Sequence, residues 1–293
     1  MLQYLYAAFS MRPTYREISG VGSTQRGRSL VGIAIEEMLH LRDVNRLLVE
    51  LGAAPSLTRQ DFPYEPDLYP FPMRLERLSH ASVAKYVYAE APRGVLDLDS
   101  IVDPDARRFA EQVIALLPGQ RVNHIGSLYG TVVRRLEELR GGAFDRRVAG
   151  WIERVQGIKR NGESDHFRFF RDLFLGALPG MSASCWDDPE SASYPSYAFD
   201  EDPTALPPDS TYADADELSL AQIGNQVYWT MLVLLDRGYR GDGEVAGTLQ
   251  RHARALMSGV LVPLAEQLAQ RQRGLPFDPL ALGLAPGREA ADD

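Results

Sequence analysis

The chain has 293 residues, with 31 Lys and Arg against 40 Asp and Glu, 45% hydrophobic residues and a single cysteine. Average hydrophobic and charged fractions over this length exclude wholesale disorder and allow one large core or two modest ones. A net charge of −9 argues against a nucleic-acid binder, no apolar run approaches a membrane span, and Cys185 alone excludes a disulfide framework.

Residues 1–11 read as a helix that opens on an apolar run, YLYAAFS. It has no capping residue ahead of it, as though a turn preceded Met1, and no basic n-region or cleavage site, so it is not a signal peptide. With the lone cysteine, this gives the expectation of a cytoplasmic protein. Residues 24–51 form the clearest helix, with Ser23 or Thr24 as cap and Gly52 after the last periodic residue. Leu30, Ile33, Glu37, His40, Val44, Leu47 and Leu51 recur at alternating spacings of three and four, the inward seam of an antiparallel bundle. Residues 53–79 carry FPYEPDLYPFP, whose closely spaced prolines forbid a regular helix.

Helical patterns follow at 80–90, 104–117, 121–140, 145–159 and 162–176. Residues 179–216 hold nine Asp and Glu, no Lys or Arg, and six prolines, the composition of an irregular segment. Its aromatics (Trp186, Tyr194, Tyr197, Phe199, Tyr212) fit a packed cover over the surface, and a solvated insertion is the alternative. Helices at 217–237 and 243–271 complete the chain. With no alternating strand pattern between them, the fold class is all-α with two long irregular crossovers.

Two residues of the first seam do not belong there on hydrophobic grounds. Glu37 and His40 lie between Ile33 and Val44, and an ionised carboxylate buried alone costs several kcal/mol or neutralises itself. Either the pair sits in a polar core network or it binds a metal that supplies the positive charge. Glu-x-x-His puts both side chains on one helical face, one turn apart. With 18 Glu and five His in the chain, about 0.3 such pairs arise by chance. There is a second, Glu163-Ser-Asp-His166, whose inward phase continues through Phe170 and Leu173. Two such pairs on separate helices are half of the di-iron and di-manganese carboxylate pattern, and they favour a metal site. The donor chemistry ranks iron first, with manganese and zinc behind it. The other half of the pattern is not evident. Helix 1–11 has no acid, and helix 121–140 has Glu only at 137 and 138, near its end.

MLQYLYAAFSMRP, EEMLHLRDVNRLLVELGAAP, FPMRLERLSHASVAKYVYAEAP, VNHIGSLYGTV and ESDHFRFF resemble, in that order, the ferritin-like iminophenyl-pyruvate dimer synthase family of the violacein and rebeccamycin pathways. The resemblance covers residues 1 to about 176, with EEMLH and its Leu-rich continuation as the most specific block. It implies a ferritin-like four-helix bundle over 1–178, the acidic loop 179–216, extra C-terminal helices over 217–272 packing on the bundle, and a tail at 273–293. It also implies an iron(II) centre, mononuclear or dinuclear, and an O2-dependent oxidase or oxygenase acting on a small organic substrate such as an amino-acid-derived imine. Glu37, His40, Glu163 and His166 match the family's ligands. Its first-helix Glu falls before Met1, and its third-helix Glu aligns with Ser127 of IGSLY. Glu90, in the shared AEAP block, is a candidate replacement donor, and His124 is a weaker one. A homodimer is the expected assembly. The alternative is a ferritin-like protein that binds metal or serves as a structural dimer without turnover. His80 reads as a helix cap, His252 as exposed and Cys185 as unreactive.

Overall fold

A computed structural model describes residues 1–21, 28–57, 71, 74–117 and 125–278, with the side chains of 125–128 outside the description. Eleven α-helices occur among the described residues: α1 Leu2–Ser10, α2 Arg16–Ser19, α3 Leu30–Glu50, α4 His80–Glu90, α5 Pro104–Ala115, α6 Ile125–Glu137, α7 Asp145–Asn161, α8 Phe167–Phe174, α9 Ala215–Arg240, α10 Gly243–Leu256 and α11 Val262–Gln270. No strand forms among these residues; the one extended pairing is an isolated antiparallel bridge between Met11 and Ser196. The fold is all-α, as the periodicity requires. The chain divides into two compact units, residues 1–60, 74–77 and 196–293 in the first and 61–73 and 78–195 in the second.

In the first unit α1 packs on α3 and α11, and α9 packs on α3, α10 and α11. Tyr4 to Ser10 are all buried, so α1 is a core helix despite its short length. α3 begins later than its periodic pattern suggests. Ser29, in extended conformation, caps it by accepting from the Gly32 N–H, and residues 24–27 lie outside the description. The apolar periodicity starts only at Leu30, so the cap nearest the first buried residue is the one used. Gly20 makes room for that cap. It adopts φ +76°, and a Cβ there would collide with Ser29.

The seam of α3 is also not a straight repeat. Leu30, Ile33, Ala34 and Leu47 are buried, but Val44 and Leu51 are 36% and 37% exposed. The residue after Val44, Asn45, is buried in its place and is 1% exposed. Asn45 donates to Leu41 O and accepts from the Ser56 N–H, securing the exit of the helix.

The part of the acidic segment in this unit is tightly tied. Tyr197 N–H donates to Ser10 O, and Asp202 exchanges two hydrogen bonds with the Leu75 backbone. Asp200 pairs with Arg273 at 2.8 Å. The Tyr212 hydroxyl donates to Gly274 O at 2.5 Å. Asp278 accepts from Ala205 N–H and from Asn225 Nδ2, each at 2.8 Å. Asp200 and Asp202 of the acidic segment thus have protein partners, and residues 196–212 are tied to the first unit.

In the second unit α4 packs against α5, α6 and α8. A reciprocal capping box, Ser79 with Ser82, starts it, and every residue from Ser82 to Glu90 is buried. The cap is therefore Ser79. His80 instead donates from Nε2 to Phe174 O at 3.1 Å and stacks on Trp186 with rings 5.2 Å apart and 3° from parallel. Burial lowers its pKa, with the Phe174 hydrogen bond and Asp187 opposing, so the ring is a neutral strut between α4 and α8. α7 runs without a break through a π turn, Gly162–His166, into α8.

Candidate metal centre

The first unit presents Glu37 and His40 one turn apart on α3, as the spacing requires. His40 Nδ1–H donates to Glu37 Oε1 at 3.1 Å, with the two side chains 14% and 23% exposed. With the carboxylate accepting at Nδ1, a neutral ring would carry its lone pair on Nε2, the atom a metal would use. The pair is thus compatible with either polar packing or ligation.

In the second unit the sequence-derived donors separate. His166 is 1% exposed, and Phe170 and Leu173, continuing its inward phase, are fully buried. Phe170 rests on Tyr86 of α4 with ring centres 5.3 Å apart. Beside His166 stands Glu90, its Oε1 3.7 Å from the His166 Nδ1 and 9% exposed. Glu163 turns toward Lys159, one helical turn back, at 3.8 Å. The lesser candidate, Glu90, therefore shares the buried site with His166, while Glu163 lies at its margin. His124 and the Ser127 side chain lie outside the described residues. Glu137 and Arg140 form a hydrogen-bonded ion pair at the solvent-exposed end of α6, away from any donor role.

Three local features create the Glu90–His166 arrangement. The π turn carries both Glu163 and His166, and such wide turns recur at functional sites because they alter the register of the following helix. Glu90 occupies the last position of α4, the negative end of the helix dipole, where a carboxylate is disfavoured even before burial. Gly162 faces it, and a Cβ at that position would stand 2.7 Å from Glu90 Oε2. A buried carboxylate at the wrong end of a helix, beside an imidazole and a space that only glycine leaves open, fits a cation of two or more charges. Sequence reasoning missed Gly162 and the π turn. The one available signal was a glycine directly before the second Glu-x-x-His, inside an otherwise continuous helical pattern.

Comparison with known proteins gives a family. A family model described as Ferritin-like matches residues 1–172. Dichlorochromopyrrolate synthase of Lentzea aerocolonigenes is 31% identical over 218 residues, which is 66% of this chain and 19% of that protein. The chain thus spans about a fifth of the length of that curated relative. No solved structure matches the chain.

Proposed function

Because the chain belongs to the ferritin-like family, we propose that it is an iron-dependent oxidoreductase of specialised metabolism that uses O2 to oxidise a small organic substrate. The observation that carries this reading is the buried Glu90–His166 pair, an acid and an imidazole whose burial a bound cation would offset. In this proposal Glu37, His40, Glu90, Glu163 and His166 are the metal donors; Glu37, Glu90 and His166 have the donor chemistry suited to an ion. Three carboxylates and two imidazoles rank iron ahead of manganese and zinc. Bound iron would supply the electrons for O2 chemistry that no side chain of the chain supplies.

The residues' own tasks follow from their surroundings. His40 is oriented by its hydrogen bond to Glu37, and Glu90 would neutralise part of the charge of the ion. Gly162 leaves the room that the Glu90 carboxylate occupies. Phe170 packs on Tyr86 one turn beyond His166 and surrounds that imidazole's helix with hydrocarbon. The relative's name identifies a synthase, and an amino-acid-derived imine is the substrate class this reading adopts. Homodimerisation is part of the same proposal.

Two observations favour a second reading, a metal-binding or structural protein without turnover. Ser127 stands in the chain where the iminophenyl-pyruvate dimer synthase pattern places a glutamate, and Glu163 is engaged by Lys159. Oxygen-electrode measurements on protein loaded anaerobically with Fe(II) separate the two. The enzyme reading expects O2 uptake in excess of free Fe(II), lost in His166→Ala. Uptake no faster than that of free Fe(II), from protein that has bound the metal, selects the second reading.

A further inference from the structure

The first unit contains another concavity, of about 380 Å3, which none of the proposed metal donors lines. Its wall includes the buried side chains of Phe9, Met11 and Val21. Its charged groups are Arg12, Arg16 and Glu266. The Arg12 guanidinium lies 4.7 Å from the centre of the Tyr197 ring, a contact that fixes its plane without neutralising it. Its Nε is buried and has no hydrogen-bond partner among the described residues. Arg16 donates from Nε to Val21 O at 3.1 Å. Among the described residues no carboxylate comes within 4.0 Å of either arginine, Glu266 included.

A guanidinium is a planar fork built for a carboxylate or phosphate, and a buried donor left unmatched is costly. Two arginines and one glutamate sum to a single positive charge, which suits a monoanion better than a dianion. The apolar wall suits a hydrocarbon body. We propose that this cavity binds a small monocarboxylate, its carboxylate held by Arg12 and Arg16 and its body by Phe9, Met11 and Val21. The inference stands independently of the metal centre.

The test is a fluorine NMR titration of the full chain with 3-(4-fluorophenyl)propionate, carried out both with chelator and with bound Fe(II). The acid should bind saturably in both conditions. The corresponding alcohol should bind at least about tenfold more weakly, as should inorganic phosphate measured by competition. Arg12→Gln and Arg16→Gln should each raise the Kd of the acid about tenfold; Arg16 is exposed, so its variant keeps the fold and the test open. Alcohol or phosphate binding as tightly as the acid would overturn the proposal. So would binding that disappears with chelator, or a Kd unchanged in both variants.

Discussion

Gly162 offers the sharpest perturbation of the proposed centre. Its backbone is helical, φ −58° and ψ −55°, so alanine fits the main chain, and in open space the exchange stabilises a helix by about 0.5–1 kcal/mol. Gly150 and Gly157, earlier on α7, have nothing within 4 Å of an added Cβ, and their alanine variants should show that gain in urea unfolding. At Gly162 the new Cβ would meet Glu90 Oε2 at 2.7 Å. The carboxylate must retreat by about 0.7 Å to reach ordinary contact. Because Glu90 ends a flexible side chain, the fold survives. The retreat moves the oxygen beside His166, and displacing one donor in this way should cost about tenfold or more in Fe(II) affinity. Gly162→Ala should therefore gain no stability and lose iron affinity, whereas the two controls gain stability and keep it. A Gly162→Ala protein as stabilised as the controls, with unchanged Fe(II) affinity, would refute the placement of Glu90 in the site.

Other consequences are independent of that result. Glu37→Ala and His40→Ala should each abolish metal binding yet shift unfolding by no more than about 1 kcal/mol, because the pair is partly solvated; two variants with full metal content would move the site elsewhere. His80 has a folded-state pKa lowered from 6.5, chiefly by burial, so the unfolded chain binds the additional proton. Stability should be full above pH 6.5 and fall as pH drops through and below it, and His80→Leu should flatten that part of the urea-midpoint profile. Asn225→Ala removes two of the hydrogen bonds that hold the buried Asp278 and should cost about 3 kcal/mol, read by urea unfolding. Burial raises the Tyr239 phenol to about 12, so its ultraviolet titration should lag behind that of exposed tyrosines.

The helices were legible because each has one strong periodic face and a recognisable boundary. α4 starts and ends where its pattern does, and the inward sequence His166, Phe170, Leu173 is buried as its spacing requires. Less visible was anything set by the exact pitch of a helix. The π turn at Gly162–His166 depends on a fraction of a turn that a pattern of threes and fours does not resolve. The same limit explains the donors. Spacing can place Glu163 and His166 on one face, but the wider turn leaves Glu163 beside Lys159 and His166 beside Glu90. Glu90 is 76 residues away from His166, and a long-range partner of that kind has no local signature. His80 was misread for a simpler reason: Ser79, immediately before it, is the better cap.

The central claim, that a buried acid and imidazole hold a metal, is tested most directly by elemental analysis of the purified chain after anaerobic Fe(II) loading and desalting, beside Glu90→Gln and His166→Ala. The account predicts one or two irons per wild-type chain and loss of iron in both variants, with helical circular dichroism retained. A folded wild-type chain that holds no metal, or variants that hold as much as the wild type, would contradict it.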